Sequence, residues 1–306
     1  MTGRQLALLA AVLGALLLLW GGASLTRRGS FGKSESDRFI IPAVGKNEVD
    51  TVIIARPSDT TRLARRDSTR WTVNGNPAAA SAIHDLFAAL ADTVRETELV
   101  AARPGSHAGL GVDSAKGTRV RLVRGDSALA DLVVGNRSPD LDGGYFRAPT
   151  DSSVYLVRGS LAEVLSKSSD EWRDRRIAGV MADSVARIEV SRGRGSYSVR
   201  RDGTGWKLGP AKADSAAMAG LLDAYRQVEA AGFASPAQAD SARFARPDRR
   251  ATLLRADGSR LLNLAFDSTA TGFWARAGDG GTVYRMDSWG VDQLTPPDST
   301  LRAKKQ

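Results

Sequence analysis

Residues 71–90 recur 135 positions later in one unbroken register, and whatever the first copy folds into, the second must fold into as well. Trp71 returns as Trp206, and Ile83, Leu86, Phe87 and Leu90 return as Met218, Leu221, Leu222 and Tyr225. In both copies the last four fall at i, i+3, i+4 and i+7, one face of an amphipathic helix. Arg65, Arg66 and Asp67 come back at the same offset as Arg200, Arg201 and Asp202, where Asp202 followed by Gly203 is a tight-turn signal. A Trp, a turn and a four-position stripe do not share a register by chance. The latter part of each copy matches at 129, a smaller offset because loops shorten. Tyr145, Arg147, Ala148, Val154 and Tyr155 become Trp274, Arg276, Ala277, Val283 and Tyr284. The strand pairs 119–124 with 129–134 and 251–255 with 260–265 match as well. A period near 130 is far longer than that of stacked solenoid repeats, so the pattern predicts a duplicated domain.

The expected fold class is α+β, as two tandem modules of antiparallel strands with one main packing helix each, following an N-terminal transmembrane helix. The modules are expected over 48–166 and 181–294, with an inter-module join at 167–180, a juxtamembrane linker at 26–47 and a disordered tail at 295–306. The transmembrane expectation rests on residues 6–25, which carry no charge and lie between Arg4 and the pair Arg27 and Arg28. Twenty helical residues reach about 30 Å, the thickness of a bilayer's hydrocarbon core. Gly21 and Ala23 suit a signal-peptide cleavage site, but the length of the run and Trp20 favour an uncleaved anchor. Residues 1–25 thus read as a cytoplasmic stub and anchor, with the C-terminal body exported.

The chain has 306 residues and no Cys. Disulfides, thiolate metal sites and a cysteine nucleophile are excluded together, so packing must supply the stability. The formal charge of +9 is spread among interleaved Asp residues, which reads as a solvated mixed-charge surface with no nucleic-acid partner.

No constellation for chemistry emerges, so no catalytic residue, cofactor or metal site is expected. His84 lies off the apolar stripe and its repeat counterpart is Ala219; His107 sits in a Pro-Gly-Ser-His loop with no nucleophile motif beside it. Ser30 and Lys33 have the spacing of penicillin-recognising enzymes but none of the companion motifs. Asp140, Asp142, Gly143 and Gly144 suggest a calcium loop, yet the glycine and the bidentate glutamate of an EF-hand are missing, leaving a turn. Trp71 and Trp206 read as core plugs, with a glycan or peptide groove as the other reading. Arg147 and Arg276 read as a solvated sheet face or, more sharply, as a shared surface for an anionic ligand. Trp172, Arg173, Arg175 and Arg176, with Glu171 and Asp174, read as an interdomain ion-pair hinge or a protein-docking patch, since Trp and Arg are enriched at binding hot spots.

Several short elements carry a resemblance. A Trp-terminated hairpin precedes a Leu-rich helix; Gly109 and Leu110, Val134 and Gly135, a Tyr-x-Arg strand and a Val-Tyr strand follow, and the series closes on residues 172–177. Together with the N-terminal apolar run, this resembles the bacterial domain-of-unknown-function family 4340. The second copy departs from it, with Phe244, Ala245, Arg246 and Pro247 where the Gly-Leu element is expected. The resemblance implies a membrane-anchored envelope protein, often encoded beside an ABC-type transport system with a gliding-motility-like subunit, and it carries no catalytic residues. The resulting expectation is a single-pass bacterial inner-membrane protein, held through residues 6–25, that is a non-catalytic binding or scaffolding accessory of an ABC-type transport complex. The alternatives are an envelope glycan or anionic-polymer binder and a hydrolase.

Overall fold

Alternation of apolar and polar side chains builds most of the molecule. In the computed structural model, which describes residues 41–92 and 96–303, Val52 and Ile54 are buried while Ile53 between them is not, and Ile188 and Val190 are buried beside exposed Arg187 and Glu189. This period of two places every second residue on the core face of a strand.

The first module contributes β1 (Thr51–Ala55), β2 (Thr60–Arg65), β3 (Trp71–Val73), β4 (Asn76–Pro77), β5 (Thr97–Ala101), β6 (Thr118–Arg124), β7 (Ser127–Arg137), β8 (Gly143–Arg147) and β9 (Val154–Arg158). They form one nine-stranded antiparallel sheet in the order β4-β3-β2-β1-β6-β7-β8-β9-β5. After β10 (Arg176–Ala178), the second module lays down β11 (Arg187–Arg192), β12 (Gly195–Asp202), β13 (Gly205–Leu208), β14 (Ala211–Lys212), β15 (Val228–Glu229), β16 (Gly232–Phe233), β17 (Arg249–Leu254), β18 (Arg260–Ser268), β19 (Phe273–Ala277) and β20 (Tyr284–Met286). Its nine-stranded sheet runs β14-β13-β12-β11-β17-β18-β19-β20-β16, the same order as the first, and β10 pairs with β15 in a separate ribbon.

One face of each sheet is covered by the predicted helix. Over α1 (Ala80–Ala91), Ile83, Leu86, Phe87 and Leu90 are buried, and so are Met218, Leu221, Leu222 and Tyr225 at the matching positions over and just after a later helix, Ser215–Ala224. The two helices start differently. Asp214 caps the later one, accepting from Ala217 N at 2.8 Å, whereas Ala79 has no capping side chain and its N–H donates to Trp172 O at 2.8 Å. In the first module α2 (His107–Leu110) and α3 (Leu161–Ser166) follow, and α3 packs beside α1. In the second module the capped helix is α4, followed by α5 (Pro236–Ser241) and α6 (Ser288–Leu294).

The opposite face of each sheet is partly closed by the segment containing α2 or α5. Val112 packs on Val133 and Val154, and Phe244 packs on Ala265 and Val283. The segment around Phe244 therefore does the work of the Gly-Leu element that the second copy lacks.

Three expectations are corrected. Strand outweighs helix by 40% to 23% among the described residues, so the architecture is mostly antiparallel β sheet rather than α+β after a transmembrane helix. The two-residue edge strand β4 carries no periodic signal and reads as part of a loop over 74–77 in the sequence, and β16 is equally short. The single-pass inner-membrane localisation is corrected too, because no helix among the described residues is long and apolar enough to cross a membrane. The longest, α1, has 12 residues and spans about 18 Å. The run at 6–25 on which the expectation rested, with the linker up to residue 40, lies outside the described residues. Finally, the described part of the expected disordered tail, residues 295–303, is packed: Thr295 and Leu301 are buried, Tyr197 OH donates to Pro296 O at 2.6 Å, Asp298–Leu301 forms a 3-10 turn, and Ala213 bridges to Arg302, while residues 304–306 lie outside the described residues.

The repeat also slips by one residue before the Trp. Leu63 faces Val52 and Val199 faces Ile188, so Arg65 opposite Trp71 corresponds to Arg201 opposite Trp206, not to Arg200. Inward-facing Leu63 and Val199 fix this register, because a one-residue shift would turn each strand's apolar set outward.

Candidate functional site

The chain between the modules is neither a free linker nor an exposed patch. Ser168 and Glu171 form a capping box that starts the 3-10 turn Ser169–Trp172; the Ser168 N–H and hydroxyl, both donating to Glu171, hold its carboxyl below the usual range. The turn drives Trp172 into the first core at 0% exposure, with its indole N–H donating to Lys167 O at 3.2 Å. Trp172 thus finishes the first module as Leu301 finishes the second. Each lies one residue before a bridge, Ala78 to Arg173 and Ala213 to Arg302. The expected partner contact at Trp172 is corrected on this ground: a side chain with no accessible surface meets nothing outside the chain.

Arg173 points the other way, across the junction. Its guanidinium carbon lies 3.4 Å from the ring centroid of Phe233 on β16, and its Nη1 is 3.2 Å from Asp170 Oδ1. A weaker contact at 3.5 Å joins its Nη2 to Asn76 Oδ1. The buried Nε of Arg173 has no hydrogen-bond partner, as befits a guanidinium laid on a ring face. Phe233 rests in turn on Tyr284, ring centroids 5.7 Å apart. The chain then binds the second module through its backbone. Arg175 O accepts from Ala230 N at 2.9 Å, Arg176 pairs with Glu229, Ala178 pairs with Val228, and Val180 N donates to Tyr225 O at 2.8 Å. Arg175 and Arg176 contribute backbone here and leave their side chains exposed. The hinge expected from the charge run is therefore a clasp, in which only Arg173 reaches across. Phe233, Asn76 and Glu229 were not legible as its partners, since no local motif ties an arginine to an aromatic residue sixty positions on.

Arg147 and Arg276 each make contacts within their own module. Arg147 Nε donates to Val112 O at 2.9 Å and its Nη1 to Ala148 O and Pro149 O, both at 3.1 Å. Arg276 lies 4.5 Å from the Phe244 ring centroid. Each guanidinium fastens the segment that closes the second face of its own sheet.

The two tryptophans at the repeat's shared position differ. Trp71 is buried against Phe87, centroids 5.3 Å apart; Trp206 is half-buried under Arg201, 5.0 Å away.

Other suspected chemistry is structural. His84 is exposed, and His107 Nε2 lies 2.8 Å from Ser152 O, stitching two loops. Ser30 and Lys33 lie outside the described residues. The Asp140 turn is held by an arginine: Ser138 Oγ donates at 2.5 Å and Arg158 Nη1 at 2.9 Å, and these bonds hold the Asp140 carboxyl far below its usual range. No group of three metal-ligating side chains occurs among the described residues. An open cleft of about 440 Å³ between α1 and α3 is lined by charges of both signs, and Lys167 and Asp85 pair across it at 3.2 Å.

Large apolar side chains at the surface are the remaining functional signal, and sequence reasoning missed them. Trp289 on α6 is 73% exposed; Met181, Leu141, Leu99 and Val100 are exposed as well. Leu141 is held at φ 62° at the tip of the Asp140 turn. No curated protein and no solved structure matches the chain. A family match spans residues 71–247, more than half the chain, from the Trp71 hairpin through the clasp and into the second module. The chain therefore belongs to the family described as Domain of unknown function (DUF4340).

Proposed function

We propose that the protein is a non-catalytic binding scaffold, an accessory that presents protein-docking surfaces on two clasped modules to a larger assembly. The observation that carries this reading is the exposure of Trp289, with Met181 and the Leu99–Val100 pair, in a chain where His107, Arg147 and Asp140 are engaged in structural bonds. A Trp at 73% exposure buries little of its surface on folding and suits a binding hot spot. The family resemblance directs attention to an ABC-type transport complex as the assembly.

Quantitative co-purification after mild cross-linking tests the reading. A stoichiometric partner complex that includes transporter subunits, reduced at least tenfold by Trp289→Ala without loss of thermal stability, is the expected result. Recovery of the protein alone as a monodisperse monomer would overturn it.

A further inference from the structure

The duplication offers an internal comparison at the sheet edges. Leu99 on β5 pairs with Tyr155 on β9, and Phe233 on β16 pairs with Tyr284 on β20. Because both sheets share one strand order, Leu99 and Phe233 occupy the same place on equivalent terminal strands. Their surroundings differ. The Phe233 edge is two residues long, and Arg173 of the extended segment 173–178, a segment that pairs through Arg176 with Glu229 on the neighbouring β15, lies on its ring. The Leu99 edge is five residues long, and no strand pairs with its outer side among the described residues. Leu99 is 48% and Val100 40% exposed, and Glu96 and Glu98 are exposed beside them.

A long, apolar, open edge is a template for another strand, and proteins ordinarily shorten, charge or cover such edges. Here the second module's edge is short and carries Arg173 on its Phe233 ring. Among the described residues, the first module's edge carries Glu98 and an irregularity between Leu99 and Ala101, which leaves residues 97–99 in regular register. Arg158 pairs with Asp140 at 2.9 Å and, more weakly, with Glu96 at 3.8 Å, and Arg103 lies past the far end of the strand, so the exposed carboxylates of Glu96 and Glu98 give the edge its acidic character.

We infer that β5 is a docking strand for an extended, arginine-rich segment of a partner protein, bound with an arginine side chain against Leu99 and its neighbours paired with Glu96 and Glu98. The segment's chemistry is that of residues 173–178, in which arginines run into Ile177 and Ala178. This inference rests on the scaffold reading and names one of its surfaces and the class of partner that fits it.

Because the chain has no cysteine, Leu99→Cys gives a single labelling site for an environment-sensitive fluorophore on the full-length protein. The probe is a synthetic peptide of residues 172–180. Saturable binding is expected, weakened at least tenfold when the peptide's three arginines are replaced by Glu, and weakened at least tenfold by Glu96→Lys with Glu98→Lys on the protein at unchanged thermal stability. A response that never saturates, or one indifferent to these charge reversals, would overturn the inference. So would a label already buried in the free chain, because the edge would then be occupied without a partner. Failure of the peptide with the co-purified complex intact and insensitive to Leu99→Lys removes this surface alone; a protein recovered without any partner removes the scaffold reading itself.

Discussion

Arg173 meets three neighbours at once, and their worth is unequal. Asp170 is 58% exposed, so that ion pair contributes little; the contact with the Phe233 ring, with Arg173 only 17% exposed, is shielded from water. A double-mutant cycle of Arg173→Ala and Phe233→Ala, read from denaturant unfolding, is expected to give a coupling of about 0.5–2 kcal/mol. Arg173→Lys is expected to restore only part of it, because a compact ammonium lacks the planar face that stacks. A second residue-scale prediction concerns Tyr225, which is fully buried and whose hydroxyl donates to Leu294 O; burial drives its ionisation far above the usual phenol range. Tyr225→Phe is expected to cost about 1–2 kcal/mol by leaving that carbonyl without its donor. For pH the signs are set by carboxylates whose folded pKa values are depressed: Asp140 through Ser138 and Arg158, and Asp50 through Arg65 and the Gly125 N–H. Such groups stabilise the fold above the unfolded value near pH 4, and their contribution fades as pH falls further. The melting temperature should therefore be insensitive to these groups between pH 7 and 5 and drop below about pH 4. Asp140→Asn should make the drop shallower.

Among the elements, α1 was legible because its stripe repeats at the helical period and each member of the stripe is buried. The same reading separates the stripe from its neighbours. Leu86→Ala is expected to cost about 2–5 kcal/mol, and His84→Ala, one residue past Ile83 on the exposed side, no more than about 0.5 kcal/mol by thermal or urea unfolding. Strands were legible where alternation ran for five residues or more, as in β1 and β11. Two-residue edge strands such as β4 left no periodic trace. Gly143 illustrates a constraint that only the structure reveals. Its φ is 149°, and a Cβ there would collide with Val157 O on β9, so Gly143→Ala should disrupt the β8–β9 pairing rather than stabilise the strand.

At the scale of the molecule, the doubling was plain in the sequence because Trp, turn and stripe kept one register over twenty residues. The junction was not, because an arginine-rich run looks the same whether its Trp points inward or outward. Trp172 proved to be the last core residue of the first module and Arg173 the first contact with the second; adjacent positions in the chain serve opposite purposes. This is why the sequence could suggest a hinge and not what closes it. Two copies of one β module, joined by the Arg173–Phe233 contact and the β10–β15 pairing, form the frame on which the proposed docking surfaces are displayed, and a fixed relation between them is expected. The absence of native cysteine permits a direct test by pulsed electron–electron resonance between spin labels at Ser68→Cys and Arg194→Cys, exposed turn positions in the two modules. A single narrow distance distribution is expected, broadening on Arg173→Ala with Phe233→Ala. A broad distribution with the clasp intact, or one unchanged when it is removed, would contradict the fixed relation.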